Sequence, residues 1–122
     1  SEGYSILAKG YLSRNEHDAA LEVLLDCQND APFDADATAL LAKVLWDEDQ
    51  SDLAFAYLEK GLKQDKCNAT LLSLNGRFLF ESGQDEEAKE MLLLAEECDP
   101  MDAELAATRR YIANALLAAK KS

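Results

Sequence analysis

The chain has 122 residues, 48% hydrophobic and 30% charged, which is an ordinary globular composition and excludes a disordered acidic tail. Twenty-four acidic against twelve basic residues give a net charge of −12, which disfavours nucleic acid and anionic membrane surfaces as partners. No apolar run reaches the roughly 18 residues of a membrane-spanning helix.

The segment 1–34 shows the apolar spacing of two helices separated by a polar turn. Leu7, Ala8 and Tyr11 follow the three- and four-residue steps of one helix face. Ala20 and Leu24 do the same after the polar stretch SRNEHD. Short polar side chains of this kind favour turns and helix caps. The segment is therefore predicted to fold as a helical hairpin.

This pattern recurs at one fixed interval along the chain, equal to the spacing from Ala8 to Ala42 and from Ala42 to Gly76. We call this interval the repeat period. The stretches DEDQSD and ESGQDE take the place of SRNEHD. Asp34, Asn68 and Asp102 each precede a new helical pattern, where an N-cap side chain is expected. Small residues keep the same period, because two helices approach closely only where one presents little side chain. They are Ala8, Ala42 and Gly76 on the first helices and Ala20, Ala54 and Ala88 on the second helices.

The last part of the chain begins like a fourth repeat and is predicted to stop as a single capping helix. Arg110 falls where the earlier repeats have a small contact residue, so no partner helix is expected there. Leu105, Ile112 and Leu116 are expected to face inward. We predict one domain over residues 1–122. Its parts are repeats at 1–34, 35–68 and 69–102 and a capping helix at 103–120.

The three cysteines are widely spaced and form no CxxC motif. We therefore expect free thiols in a reducing compartment, and a cytoplasmic protein, instead of a disulfide framework or a zinc site. Cys27 falls at a small packing position and is expected to be inert core. Cys67 and Cys98 lie near predicted turns, where a redox role is the alternative.

The spacing of small and large residues resembles the tetratricopeptide repeat (TPR) family over essentially the whole chain. The resemblance implies an all-α superhelix, a solenoid of three antiparallel helix hairpins plus one capping helix, seven helices in all. Its first helices would line a concave groove. The chain departs from the family pattern at Tyr4, Thr38 and Leu72, where an early tryptophan is common, and at Asn75, an otherwise apolar position.

On the groove face implied by the resemblance, two sets of equivalent positions are apolar and one set is cationic. A hairpin already has one packing stripe, so a second apolar stripe needs a partner, and a cation on it argues against simple burial. We predict that this face binds a peptide. The three sets of equivalent residues are Ile6, Leu40 and Leu74; Lys9, Lys43 and Arg77; and Leu12, Trp46 and Phe80.

Two alternatives stay open for these residues. Trp46 and Phe80 can instead pack within the array, and the cations can pair internally with Asp47 and Glu81. The carboxylate clamp by which some family members grip the tails of Hsp90 and Hsp70 is not assembled. Its positions are occupied by Lys9, Leu40 and Leu74.

The expected function is that of a non-enzymatic protein–protein interaction module, an adaptor or chaperone. Its partner would be an apolar or amphipathic segment with an acidic group, and neither nucleic acid nor membrane is expected. No cofactor or metal is expected, because His17 lies in a predicted turn without neighbouring ligands or nucleophile. One alternative is a self-association module whose groove is filled by another copy. The other is a chaperone of the type III secretion translocator class.

Overall fold

The computed structural model describes residues 2–30 and 33–121, and within them it contains seven α-helices and no strand. The all-α prediction is confirmed. The helices are α1 (Glu2–Ser13), α2 (His17–Asp30), α3 (Ala35–Asp47), α4 (Ser51–Gln64), α5 (Ala69–Glu81), α6 (Asp85–Cys98) and α7 (Ala103–Lys121). None of these described helices has the length and apolar character needed to cross a bilayer.

Three helices begin at the side-chain caps that the sequence predicts. The carboxylate of Asp34 accepts a backbone N–H bond at 3.1 Å, the amide oxygen of Asn68 at 3.0 Å and the carboxylate of Asp102 at 3.0 Å. In each case the donor lies three residues further along, in the first turn of the helix, where backbone N–H groups lack an intrahelical partner. The predicted caps of α3, α5 and α7 are confirmed.

The turn inside each hairpin contains one residue with left-handed backbone conformation. These residues are Asn15, Asp49 and Gly83, with φ of 60°, 61° and 82°. In each turn the next backbone N–H donates to the carbonyl five residues before it, at 2.9, 2.8 and 2.9 Å. This is the Schellman arrangement, which ends a helix by satisfying a free carbonyl. The backbone conformation of the turns therefore recurs with the same repeat period.

The chain forms two compact units that divide after Gln64. In unit 1, α1 packs on α2 and α3, α2 packs on α3, and α3 packs on α4. The predicted small contact residues of this unit are all fully buried: Ala8, Ala20, Ala42 and Ala54. The prediction of close helix contacts at these positions is confirmed.

In unit 2, α5 packs against both α6 and α7. A side chain at Gly76 would bring its Cβ to 3.0 Å from Leu92 Cδ2 and 3.3 Å from the Ala88 carbonyl oxygen. Both distances are shorter than most Cβ contacts, so Leu92 would have to move slightly, and the close contact between α5 and α6 favours glycine here. The Thr70 hydroxyl also donates to the Asp102 carboxylate at 2.7 Å, which joins the start of α5 to the cap of α7.

The expectation of three free thiols is wrong. Cys67 and Cys98 form a disulfide with their Cα atoms 5.4 Å apart. Cys67 lies just before the cap of α5 and Cys98 is the last residue of α6, so the antiparallel hairpin brings them together at its open end. Cys27 is buried as expected, and burial, assisted by the Asp34 carboxylate, raises the pKa of its thiol.

The single-domain prediction, with its repeat boundaries, remains a prediction. The two compact units divide after Gln64, inside the predicted second repeat.

Candidate functional site

Six predicted groove residues lie on α1 and α3, two helices that pack against each other in unit 1. We call them the inner face of unit 1. Ile6 is 66% exposed, and Lys9 is also exposed. The other members are half-buried. They are Leu12, Leu40, Lys43 and Trp46. The open end of this surface is therefore an exposed apolar side chain beside a cation.

Trp46 is the member that also contributes to packing. Its ring meets the ring of Phe55 on α4 edge to face, with centroids 5.7 Å apart and an interplanar angle of 86°. Aromatic pairs in this geometry add about 0.5–1.5 kcal/mol beyond the area they bury. The internal packing that was the alternative for Trp46 is therefore present, while part of its surface remains accessible.

In unit 2 the predicted contact residues divide into buried and internally paired groups. Leu74 is fully buried, so its prediction as a ligand contact is wrong. The reason is that α7 lies along α5 here, with the Thr108 hydroxyl 3.5 Å from the Ser73 carbonyl oxygen. Arg77 pairs with Glu81, Nε to Oε2 at 3.4 Å, so the internal-pairing alternative holds for Arg77.

Tyr111 completes a cluster with Glu81, Arg77 and Phe80 that the sequence pattern did not predict. Its hydroxyl donates to Glu81 Oε1 at 2.9 Å, the Arg77 guanidinium lies 4.7 Å from its ring centroid, and its ring meets Phe80 edge to face at 6.4 Å. The hydrogen bond to Glu81 is the main reason that the pKa of Tyr111 is raised. The repeat period could have indicated this residue, because Tyr111 lies one period after Arg77 and so occupies the equivalent position on α7.

A second surface of unit 2 is an open groove between α6 and α7. It encloses about 340 Å³. Apolar side chains dominate its lining, among them Leu93 of α6 and Ile112 of α7, and its charged members are Asp85, Lys89 and Arg109. Leu116, predicted to face inward, is 57% exposed, so that prediction is wrong. The reason is that α7 continues as a helix through 116–118, where the earlier repeats have their turns.

His17 is the first residue of α2 and has its Nε2 2.8 Å from Asn15 Oδ1. Across the described ranges, 2–30 and 33–121, no group of three or more histidine, cysteine, aspartate or glutamate side chains is placed to hold a metal ion.

Hairpins that recur at a fixed period, with small residues at their contacts and an accessible face on the first helices, define a helical repeat protein. A model of the tetratricopeptide repeat matches residues 45–112, more than half of the chain. The chain belongs to the tetratricopeptide repeat family, as its residue spacing predicts.

One sequence relative is the type IV pilus assembly protein PilF of Pseudomonas aeruginosa. It is 37% identical over 94 residues, which cover 77% of this chain and 37% of PilF. A structure from the functional characterisation of this PilF superposes with a TM-score of 0.77 and 34% identity, over 88% of this chain and 48% of that one. The chain therefore spans less than half the length of this relative.

Two peptide complexes have the same fold at lower identity. The first TPR domain of Spaghetti (RPAP3), bound to the HSP90 peptide SRMEEVD, has a TM-score of 0.75 and 18% identity, over 93% of this chain and 90% of that one. The Yersinia enterocolitica type III secretion chaperone SycD, in complex with a peptide of the translocator YopD, has a TM-score of 0.75 and 22% identity, over 99% and 94%. At these identities the likeness shows the fold alone.

Proposed function

We propose that this chain is a non-enzymatic, protein-binding part of a factor that assembles a type IV pilus. The observation that carries the proposal is the 37% identity to PilF over 94 residues. A repeat fold of this kind supplies a scaffold with accessible helix faces and can bind partners without any chemical step. The work of the chain is therefore recognition of another protein.

The inner face of unit 1 is the proposed contact surface. Ile6, at 66% exposure, supplies an apolar anchor, and Lys9 next to it supplies a positive charge. The partner is an apolar or amphipathic segment with a carboxylate that meets Lys9. Because the whole chain carries a net charge of −12, an acidic segment is repelled elsewhere and attracted only at local cations such as this one.

The Cys67–Cys98 disulfide supports an oxidising compartment as the place of this work. Structural disulfides persist outside the cytosol, where thiols are not kept reduced. In this proposal, an oxidising compartment such as a periplasm or the cell exterior replaces the cytoplasmic location expected from the cysteine spacing. Alkylation of the protein from its native cells, followed by mass measurement with and without reductant, tests this directly. Two alkylated thiols at Cys67 and Cys98 before reduction would contradict it.

A chimera tests the assembly role. The 94-residue matching region of PilF is replaced by this chain's residues in Pseudomonas aeruginosa, and surface pili are counted by electron microscopy. We expect pili to be restored, and we expect Ile6→Asp in the chimera to reduce them severely. Leu7→Asp is the matched control, because Leu7 is the neighbouring residue on α1, 48% exposed and outside the inner face. A folded chimera without pili would contradict the assembly role.

Direct binding tests the surface independently of pili. The purified chain, with Ile6→Asp and Lys9→Glu as variants, is used to capture proteins from the native lysate. We expect at least one partner to be lost with both variants and retained with Leu7→Asp. Sedimentation at several concentrations covers the self-association alternative. A dimer dissociated by Ile6→Asp would mean that a second copy occupies this face.

A further inference from the structure

The groove between α6 and α7 lies outside the inner face and has no part in the function proposed above. Leu93 and Leu116, which line its two sides, are 52% and 57% exposed. Phe80, Leu92 and Ile112 form its apolar floor and are only half-buried. A contiguous apolar surface left open in this way marks an interaction site.

Unit 1 shows which element lies beside the equivalent surface, where the side chains are half-buried. Two repeat periods before Lys89 and Leu93, the same places on α2 are held by Leu21 and Leu25. These two leucines line a cavity together with side chains of α4, among them Leu53. The structure of unit 1 therefore places the second helix of a following repeat beside this position. The shape that fits the α6–α7 groove is a helix.

The described part of unit 2 contains no such helix. A second helix of a fourth repeat would require a turn at 116–118, one period after the turn at 82–84. The residues at 116–118 are Leu, Leu and Ala, and α7 runs on without interruption to Lys121. The face that α7 would offer to such a helix is closed as well, because Arg110 replaces the small contact residue. Helix α7 thus has neither the turn nor the small contact residue of a fourth hairpin, which favours a helix from a partner protein.

The charges specify what that helix carries. Lys89 stands where unit 1 has Leu21, and it makes no ion pair with any described residue. Arg109 on the opposite side is already paired with Glu96. Helix α7 has four basic residues and one acidic residue, whereas no other described helix has an excess of basic residues. Asp85, one turn before Lys89 on α6, also lines the groove, so an acidic side chain is attracted beside Lys89 and α7 and repelled at the Asp85 end.

We infer that the α6–α7 groove binds an amphipathic helix of a partner protein, with apolar residues one turn apart toward the groove and a carboxylate facing Lys89. The apolar spacing follows from Leu53 and Tyr57, which stand four residues apart on α4 at the corresponding surface of unit 1. A helix of this kind places the apolar side chains at positions i and i+4 in the groove.

A designed peptide serves as the probe. It is a stapled helix of about 14 residues, roughly 20 Å long, with Leu, Tyr and Leu at i, i+4 and i+7 and glutamates beside them. A control peptide has lysine in place of every glutamate. Titration into the isotope-labelled chain is followed by NMR. We expect saturable shifts in α6 and α7, and binding at least about tenfold weaker for the lysine peptide.

Two matched variants localise the binding. Leu93→Asp is expected to weaken the glutamate peptide at least about tenfold, whereas Leu94→Asp, its neighbour at 43% exposure outside the groove, leaves binding unchanged. Lys89→Glu is expected to reverse the preference between the two peptides. Equal binding of both peptides, shifts confined to α1 and α3, or equal losses in the Leu93 and Leu94 variants would overturn the proposal. So would a dimer of the free chain that Leu93→Asp alone dissociates, since a second copy would then fill the groove.

Discussion

The two units begin with the same hairpin and differ in what is added to it. Unit 1 adds the two helices of a whole second repeat, α3 and α4, whereas unit 2 adds only α7. The consequence appears at equivalent leucines two periods apart. Leu24 is fully buried in unit 1, and Leu92 is half-buried in unit 2. In a helical repeat, the second helix of each hairpin is covered only when the next repeat is complete.

The aromatic residues at the ends of α3 and α5 follow the same contrast. Trp46 meets Phe55 across its hairpin in unit 1. One period later the positions are Phe80 and Lys89, and Phe80 meets Tyr111 of α7 instead. A lysine in place of Phe55 thus redirects the aromatic contact from the hairpin to the added helix and leaves the groove open. Unit 2 in turn has the disulfide, which closes its own hairpin.

The largest expected effect is loss of that disulfide. The double variant Cys67→Ser, Cys98→Ser is expected to lower the free energy of unfolding of unit 2 by about 3.5 kcal/mol, because the closed loop restricts the unfolded chain. Hydrogen exchange should accelerate in α5 and α6 and remain unchanged in α1 and α2. Cys27→Ser controls for loss of a thiol without loss of a crosslink. Equal acceleration in both units would show that the crosslink is not local to unit 2.

Truncation of the equivalent leucines tests the difference in burial. Leu24→Ala should cost about 3 kcal/mol, as is typical of a fully buried leucine, whereas Leu92→Ala should cost about half of that because its surroundings are already open. Urea unfolding of both variants gives the comparison. Similar losses would mean that the missing second helix does not weaken the packing of unit 2.

A double-mutant cycle isolates the aromatic contact of unit 1. Trp46→Ala combined with Phe55→Ala should show a coupling free energy of about 1 kcal/mol, as expected for an edge-to-face pair. The equivalent cycle at Phe80 and Lys89 should show a coupling near zero. A coupling of similar size at both sites would remove the distinction drawn between the two hairpins.

The smallest effect concerns the hydroxyl of Tyr111. Because its hydrogen bond to Glu81 raises the pKa of the phenol in the folded state, the stabilisation is fully present below the ordinary pKa of 10.0 and is lost as pH rises through the folded value. Tyr111→Phe should remove this alkaline loss and cost less than about 1 kcal/mol at neutral pH. A difference-absorbance titration of the tyrosines against Tyr111→Phe measures it. An ordinary pKa for Tyr111 would contradict its hydrogen bond to Glu81.

The repeat period was sufficient to predict the helices, their caps and the small contact residues, because each of these depends on local sequence. Leu74 could not be placed in the same way. Its burial depends on how closely α7 lies along α5, which no local pattern reports. Arg77 was predicted both as a ligand contact and as an internal partner of Glu81. It pairs with Glu81, and Tyr111 of another helix contacts both residues.

The cysteines show a further limit of residue counting. An odd number without a CxxC motif favoured free thiols, yet Cys67 and Cys98 meet because they border one hairpin. The information was present in the predicted fold, since the residue before the α5 cap and the last residue of α6 are neighbours in this hairpin. The open groove was hidden for the opposite reason, because it results from a turn that the sequence at 116–118 does not form.

The disulfide also has a mechanical consequence. Tension applied along the chain passes from Cys67 to Cys98 through the sulfur bridge, across 5.4 Å between their Cα atoms. Without the bridge, the 31 residues of sequence separation would extend to about 110 Å under load. Helices α5 and α6 are therefore shielded from a pulling force that would unravel any of the uncrosslinked helices, and the hairpin remains folded within a chain under tension.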